Sequence, residues 1–384
     1  MSRRGHVYKR GDSWTYILDT SLPGQRRRQK SKGGYRTKRG ALTALNEAQS
    51  TVQRGIYVEP SKLSVKTFLL DHWLPATKAG LRESTFQGYR SAIRRYVLPR
   101  LGETRLQALT PDQLNAFYGE LLVSGRSGGK GGLSPKTVHN VHVMLHKALH
   151  DAVRWSYLPR NVAEFSDPPR QTSPGKAMRT WTPEELRSFL QFVEADPLFA
   201  AWVLSSSTGM RRGEVLGLRW QDIDFDHRRL SIRQTIISID YRVEVSEPKT
   251  ARGRRSVALD TGTVTALRAH RAAQNQLKLK LGEAWQDHDL VFCRDDGTPV
   301  HPDRFTQMFD KQVREGGLTR IRLHDLRHTH ATLALAAGIH PKVVSERLGH
   351  STVAFTMDVY SHAIPSMEAE AAETIARLVQ GHKP

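Results

Sequence analysis

Residues 323–332 read LHDLRHTHAT, and this stretch decides how the C-terminal half of the chain is interpreted. It places charged groups between apolar positions, which burial penalises unless an anion compensates. On a helix, His324 and Arg327 lie three residues apart and share a face, so an imidazole and a guanidinium can converge on one group. A guanidinium matches phosphate oxygens in shape and charge. The stretch therefore predicts a helix with a phosphate-binding face.

A metal site is the alternative for the same stretch. His324 and His328 have the spacing of metal ligands on a helix, and His330 lies close to them. However, no glutamate stands between the two histidines to act as a base, and the interleaved Arg327 would repel a cation. The sequence favours phosphate, and no metal is expected.

Segments on both sides of this stretch also place charged or polar groups between apolar positions. In residues 208–218, TGMRRGEVLGL, Arg211 begins a helical repeat that has Glu214 on the same face and Leu218 next along it. The alternative is a surface Arg-Glu pair, worth well under about 1 kcal/mol. Downstream, LGH at 348–350 supplies His350 and MDVYSH at 357–362 supplies Tyr360, for which a packed aromatic is the simplest interpretation.

Composition limits the class of partner. The net charge of +20 and the pI near 10.3 require a polyanion, either nucleic acid or an anionic membrane surface. Mean hydropathy is -0.50, and neither a spanning run nor an apolar signal core is present, so a cytoplasmic protein is expected. The single Cys293 excludes an internal disulfide framework, and its segment LVFC, at 290–293, predicts a buried strand with a core thiol.

The first 40 residues hold half of the net charge, with twelve Lys and Arg against two Asp. Strand-forming residues at 13–18, a turn signal at 22–24 and a basic segment predict about three strands, and Thr37 should cap a helix over 40–54. A basic β-ribbon can enter the major groove, whereas a solvated basic face would raise only non-specific affinity. The candidate DNA contacts here are Arg26, Arg27, Arg28, Lys30 and Lys32.

The rest of the chain predicts two further domains. From Ser64 to Val153 the apolar spacing is helical, with helix starts after Thr110 and Ser134. Arg94, Arg95 and Lys136 on polar faces are either phosphate contacts or ordinary wet surface. Residues 167–176 resemble an exposed linker. Beyond it, a capped helix at Thr182, strands near 230–232, 243–245 and 255–259, and helices from Thr261 onward predict a mixed α/β, mainly helical domain. The expected fold is therefore multidomain, with boundaries at 1–60, 63–166 and 177–384.

Taken in order, these motifs resemble the phage-integrase family of tyrosine recombinases. Arg211 and Glu214 match the T-G-x-R-x-x-E box, His324 and Arg327 the H-x-L-R-H box, His350 the L-G-H box, Tyr360 the nucleophile, and Lys249 a β-hairpin lysine. The resemblance implies DNA strand transfer through a 3′-phosphotyrosine. Arg211 and Arg327 would clamp the phosphate, and Lys249 would protonate the leaving oxygen. His324 would assist the proton movement of the tyrosine and hydrogen-bond the phosphate. Because the bond energy is kept in the ester, no cofactor is expected.

The resemblance also implies an architecture and partners. Residues 1–60 would be a three-stranded arm-site reader, 63–166 an all-α, SAM-like core-site binder and 177–384 the catalytic domain. The expected partners are double-stranded DNA with core-type and arm-type sites, a homo-tetramer on that DNA, and host DNA-bending or excision factors. The expected function is integration or excision of a phage or mobile element; the alternatives are a resolvase and a non-catalytic DNA-binding protein. A helix over 367–378 would pack in cis or dock on a neighbouring protomer.

Overall fold

The computed structural model describes residues 5–21, 28–54, 57–126, 131–170, 179–248, 253–350, 352–360 and 365–380, the last range with side chains only from residue 371. The chain divides between Ser173 and Pro174 into two compact units. Within the described ranges, none of the helices has the length and apolar character needed to cross a membrane.

The first unit begins with a small antiparallel sheet and one helix. The sheet has the order β1 (Gly5–Arg10), β2 (Ser13–Asp19) and β3 (Gln29–Tyr35), and α1 (Lys38–Gln53) packs on it through a core that includes Leu18 and Leu45. The predicted cap is confirmed, because Thr37 Oγ1 accepts a hydrogen bond from the Gly40 amide at 3.1 Å. The predicted turn at 22–24 lies outside the described residues.

The remainder of the first unit is helical. Its α-helices are α2 (Val65–Thr67), α3 (Leu74–Thr77), α4 (Glu83–Ala92), α5 (Leu98–Leu101), α6 (Pro111–Ser124) and α7 (Pro135–Arg154). Two π-helical segments, Phe68–Trp73 and Ile93–Val97, each run into a Leu-Pro pair. A proline lacks an amide proton, and the wider π turns accommodate its effect on the hydrogen-bond ladder. The predicted helix starts after Thr110 and Ser134 are both confirmed by side-chain caps.

The second unit combines helices with short strands. Its helices are α8 (Pro183–Phe192), α9 (Phe199–Thr208), α10 (Arg212–Leu216), α11 (Thr261–Leu281), α12 (Pro302–Glu315), α13 (Leu323–Ala336), α14 (Pro341–Leu348), α15 (Val353–Tyr360) and α16 (Pro365–Gln380). Its strands form two antiparallel sheets, β4 (Ile223–Asp224), β5 (Arg229–Ile232) and β8 (Arg255–Ala258) in one, and β6 (Thr235–Ile239) with β7 (Arg242–Ser246) in the other. An aromatic core that includes Trp181, Trp202 and Phe309 supports α9 and α12.

Two local predictions about this unit are wrong. Residues 290–293 are not a strand, because Leu290 and Cys293 make only isolated bridges, to Arg219 and Pro299, and a tight turn reverses the chain immediately afterwards. Leu218 does not continue the helix that begins after Arg211, because α10 ends at Leu216 and Gly217 caps it. The Cys293 thiol is nevertheless half-buried, and burial raises its pKa to about 11.

The last helix leaves apolar side chains uncovered. Ile375, Leu378 and Val379 on α16 are all exposed, so the simplest expectation, packing of this face in cis, is not met.

Candidate active site

At the start of α10, the half-buried Arg211 pairs with the buried Glu214. Arg211 is the N-cap residue, its amide donates to Glu214 Oε2 at 3.0 Å, and its Nη1 donates to Glu214 Oε1 at 2.8 Å. The Glu214 side chain is only 5% exposed, so the surface-pair alternative is wrong. Arg211 Nη2 also donates to the Gly349 carbonyl at 3.1 Å, which ties the arginine to the end of α14. The guanidinium is thereby held in one place before any ligand arrives.

A second arginine completes the surroundings of Glu214. Arg255, the first residue of β8, donates from Nη1 and Nη2 to the two carboxylate oxygens at 3.1 and 2.9 Å, and its Nε donates to the Arg347 carbonyl at 2.7 Å. Burial alone would raise the pKa of Glu214, but the hydrogen bonds and charges of Arg255 and Arg211 outweigh burial and hold this pKa below its ordinary value. Glu214 is therefore a carboxylate shared between two guanidinium groups.

Arg327 lies on α13 and is 4% exposed. Its Nη1 and Nη2 donate to the carbonyls of Gly209 and Leu348, each at 2.8 Å, at the C-terminal ends of α9 and α14. Helix C-termini carry partial negative charge, which favours a cation there. Burial, followed by the charge of Arg211, lowers the pKa of Arg327 to about 9, so the group remains cationic at neutral pH. Three buried or half-buried arginines thus lie near one carboxylate, Glu214, which pairs directly with Arg211 and Arg255 but not with Arg327. This arrangement leaves positive charge for an anion to neutralise.

Tyr360, the last residue of α15, is 0% exposed. Its hydroxyl is 2.7 Å from His328 Nδ1, and its ring stacks on that of His350 with a centroid separation of 6.3 Å and an interplanar angle of 9°. Burial raises the pKa of the phenol to about 12, although the nearby charge of Arg327 lowers it. A poor acid is thus held beside positive charge and an imidazole.

His350 fixes the segment that precedes the tyrosine. Its Nδ1 is 2.8 Å from the hydroxyl of the fully buried Thr356, which lies one turn before Tyr360 on α15. Burial, followed by the charges of Arg327 and Arg211, lowers the pKa of His350 to about 3, so its imidazole is neutral at physiological pH.

The histidines of α13 are directed to different partners. The rings of His324 and His328 are 5.0 Å apart, edge to face, and burial together with the charge of Arg327 lowers the pKa of His324. His330 Nδ1 donates to the Ser206 carbonyl at 3.1 Å and so belongs to the packing against α9. In the part of the chain that the structure describes, no group of three or more His, Cys, Asp or Glu side chains is placed to hold a metal ion.

The structure therefore gathers Arg211, Glu214, Arg327, His350 and Tyr360, five of the residues that the motifs selected, with His324 exposed beside them. Lys249 lies outside the described residues, between β7 and β8.

Sequence reasoning gave no role in phosphate binding or catalysis to Arg255 or His328, and it considered His328 only as a metal ligand. His328 directly follows Arg327 in the H-x-L-R-H box, and Arg255 is the first residue of the strand predicted near 255–259. These positions were the only signal for either residue.

The candidate DNA contacts of the first unit lie at the surface. Lys30 and Lys32 are exposed on β3. They lie opposite Leu18 and Tyr16 of β2, so their side chains are on the sheet face that α1 packs against, at the edge of that face. Lys30 Nζ is 2.6 Å from Glu59 Oε1. Four other candidates, Arg28, Arg94, Arg95 and Lys136, are also exposed, whereas Arg26 and Arg27 lie outside the described residues.

Comparison with known proteins identifies the three parts of the chain. Residues 179–366 match the phage integrase family, residues 67–122 the N-terminal SAM-like domain of phage integrases, and residues 6–52 an arm DNA-binding domain. These matches and the site define the class of protein, a site-specific DNA recombinase. Within that class, the chain belongs to the phage integrase family of tyrosine recombinases and is of the arm-binding type.

Individual relatives agree with this assignment. The chain is 28% identical to the ICEBs1 integrase of Bacillus subtilis over 313 residues, which span 81% of this chain and 82% of the relative. It is 26% identical to a XerC-like tyrosine recombinase of Caldanaerobacter subterraneus over 361 residues, which span 89% and 90% of the two chains.

Solved structures share the fold. An integrase of transposon Tn1549 in complex with a circular intermediate DNA superposes with a TM-score of 0.67 at 20% identity, covering 82% of this chain and all of that one. A lambda integrase dimer bound to a core site superposes with a TM-score of 0.55 at 17% identity, covering 92% of this chain and 94% of that one. The expected multidomain fold, a small sheet with a helix, a SAM-like helical part and a mainly helical catalytic part, is confirmed.

Proposed function

We propose that this recombinase integrates and excises a phage or other mobile element by cleaving DNA through Tyr360. The observation that carries the proposal is the burial of the Tyr360 phenol beside positive charge that a single carboxylate, Glu214, only partly balances. A scissile phosphate would supply the missing negative charge. The phenol would attack phosphorus to give a 3′-phosphotyrosine and a free 5′-hydroxyl, which then attacks the partner strand.

Each remaining site residue has a proposed role. Arg211 and Arg327 bind the two non-bridging oxygens and stabilise the charge that grows in the transition state. His324, exposed next to them, donates a hydrogen bond to the phosphate, and His350 orders α15 through Thr356. Lys249 protonates the 5′ oxygen as it leaves. The ester conserves the bond energy, so the cycle consumes no nucleotide.

The N-terminal part favours integration as the function, rather than the resolution of chromosome or plasmid dimers. Residues 6–52 match an arm DNA-binding domain. By family resemblance, a resolvase usually starts directly with its helical domain. We propose boundaries at 1–60, 63–166 and 177–384, with arm-type DNA read by the first part and core-type DNA by the other two. Arg26, Arg27, Arg28, Lys30 and Lys32 would contact arm DNA, and Arg94, Arg95 and Lys136 would contact core-site phosphates.

Assembly on DNA is the second part of the proposal. The exposed Ile375, Leu378 and Val379 of α16 form an apolar face that a neighbouring protomer would cover, which supports docking in trans within a homo-tetramer. Host DNA-bending or excision factors would set the direction of the reaction. We expect the protein to act on the bacterial nucleoid, where its DNA lies.

The test is a suicide substrate that carries a nicked core site. We expect the wild-type protein to form a covalent protein-DNA adduct, Tyr360→Phe to form none, and the control Tyr241→Phe, which alters an exposed tyrosine, to behave as wild type. Absence of an adduct with the wild type would contradict the mechanism. An adduct with Tyr360→Phe would place the nucleophile elsewhere.

A further inference from the structure

The phenol of Tyr360 contacts one titratable side chain by a hydrogen bond among the described residues, and that side chain is His328. The Oη to Nδ1 distance is 2.7 Å, and the two ring centroids are 5.7 Å apart. A group that removes a proton in a reaction must lie within about 2.6–3.2 Å of the atom that carries it. His328 meets this requirement before any DNA is bound.

The other two histidines of the site are less well placed to accept this proton. The ring of His350 lies parallel to that of Tyr360 rather than in the line of the hydroxyl, and its Nδ1 is engaged by Thr356 at 2.8 Å. His324 is exposed, and its ring contacts that of His328 at a centroid separation of 5.0 Å, whereas the phenol hydrogen-bonds to His328. His328 is therefore the imidazole in direct contact with the nucleophilic atom.

The surroundings keep His328 neutral. Burial lowers its pKa to about 4, with further lowering by His324, Arg327 and Arg322 and an opposing effect of Asp325, all on or beside α13. From α15 and the segment before it, Tyr360 and His350 face the same ring. A neutral imidazole that carries its proton on Nε2 presents a lone pair on Nδ1, so the phenol donates and Nδ1 accepts.

The nucleophile needs such a partner. With its pKa raised to about 12, only about one Tyr360 in 10⁵ would be ionised at pH 7 without help. Ionisation ahead of attack would therefore slow cleavage severely, whereas proton transfer during attack avoids a free phenoxide.

We propose that His328 is a catalytic residue, the general base that accepts the phenolic proton of Tyr360 as the phosphotyrosine forms. In this step the Tyr360 oxygen bonds to phosphorus while its proton moves to His328 Nδ1. The bond between phosphorus and the 5′ oxygen breaks, and that oxygen takes a proton from the acid, for which Lys249 is the candidate. In the reverse step His328 returns the proton to the departing phenol.

The inference rests on the proposed role of Tyr360 and is tested by rates of adduct formation on the nicked substrate, with all DNA bound. His328→Asn retains a hydrogen-bond acceptor near the position of Nδ1 but cannot take up a proton. We expect cleavage about a hundred-fold or more slower at pH 7, the usual effect of losing a general base. The rate of the variant should then rise roughly tenfold per pH unit from 7 to 9, because only phenoxide attacks, while the wild-type rate stays nearly flat.

Two further variants separate catalysis from structure. Adding imidazole should raise the cleavage rate of His328→Ala at least tenfold, because free imidazole can replace the missing base. His330→Asn, which alters a histidine of the same helix that contacts Ser206 instead, should cleave within about threefold of wild type.

Cleavage by His328→Asn within about threefold of wild type would overturn the inference while leaving Tyr360 as the nucleophile. Slow cleavage that neither rises with pH nor responds to imidazole would overturn it as well, because a purely structural defect gives that result. An adduct formed by Tyr360→Phe would instead overturn the proposed function itself.

Discussion

At the scale of single residues, the site depends on one buried carboxylate. Glu214 accepts hydrogen bonds from Arg211 and Arg255, whose side chains come from α10 and β8, and its own side chain is 5% exposed. Like charges this close repel, and the carboxylate between them reduces the repulsion. Glu214 therefore holds Arg211 in the position from which, under the proposed function, it would bind a phosphate.

Removing this charge should destabilise the catalytic unit. Glu214→Gln leaves Arg255, whose side chain is 7% exposed, without its ionic partner, and we expect the free energy of unfolding to fall by about 3 kcal/mol. Urea denaturation followed by tryptophan fluorescence measures this change. The control Glu184→Gln breaks an exposed pair with Arg187 and should leave the urea midpoint unchanged. Equal effects of the two substitutions would contradict the burial argument.

The same carboxylate predicts a pH dependence. The pKa of Glu214 in the folded state lies below its ordinary value of 4.5, so its contribution to stability is present above pH 4.5 and is lost as the pH falls through the folded pKa. The urea midpoint of the wild type should therefore fall more steeply on acidification below pH 4.5 than that of Glu214→Gln. Parallel curves for the two proteins would show that Glu214 has no lowered pKa.

The sequence predicted the Arg211 and Glu214 pair because its members are three residues apart on one helical turn. It could not predict Arg255 as their partner, because that contact spans 41 residues and depends on how β8 passes α10. Similarly, the phenol was expected near two arginines, but its contact with His328 depends on the angle between α13 and α15.

At the scale of elements, α15 is held by few contacts. Its buried side chains are Thr356 and Tyr360. Thr356 contacts His350, whereas Tyr360 contacts His328 and packs in a small apolar cluster with Ala331, Leu335, Val344 and Leu348. Helices with few buried apolar contacts open with low free energy. The element that carries the candidate nucleophile is thus held by two hydrogen bonds and one small apolar cluster, and this limited packing suits it to movement when DNA binds.

Breaking one of these contacts should loosen the helix. Thr356→Val preserves shape but removes the hydrogen bond to His350, which leaves a buried nitrogen without a partner at a cost of about 1–3 kcal/mol. We expect faster hydrogen exchange of the amides at 353–360, measured by mass spectrometry, and unchanged exchange in α9. The exposed Asp358→Asn on the same helix is the control. Unchanged exchange at 353–360 in Thr356→Val would show that other contacts hold α15.

Elements whose signals are local were predicted well from sequence, and the others were not. Thr37, Thr110 and Thr182 cap helices through bonds to residues three positions on, which a pattern can show. The strands β4 and β6 were not expected, although each pairs with the strand that follows it along the chain. With two residues, β4 is too short to show a pattern, and the turn between β6 and β7 places Asp240 and Tyr241 at positive φ without the glycine that usually marks such a hairpin.

At the scale of the whole molecule, charge is distributed unevenly. Half of the net charge of +20 lies in the first 40 residues, although Lys30 is paired with Glu59 at 2.6 Å. Counterion release from DNA makes the binding constant fall with salt, with a logarithmic slope of about -0.9 for each phosphate neutralised.

The lysines of β3 should contribute to this slope on arm DNA. For the double variant Lys30→Gln, Lys32→Gln we expect a logarithmic slope less negative by about 2 on DNA that spans a complete attachment region. The binding constant would be measured by fluorescence anisotropy from about 50 to about 300 mM salt, a range around physiological ionic strength. Short DNA with only the core site is the control and should show no change. A change of equal size on both DNAs would assign these lysines to general affinity rather than to arm recognition.

The 0% exposure of Tyr360 also bears on the safety of the host genome. A recombinase that searches a chromosome meets vast numbers of unrelated sites before it reaches its own. A phenol that stays covered during this search cannot attack the phosphates that the protein passes. We therefore expect nicks at unrelated sites to be rare while the protein is unassembled. Burial of the reactive phenol would thus contribute to the choice of target.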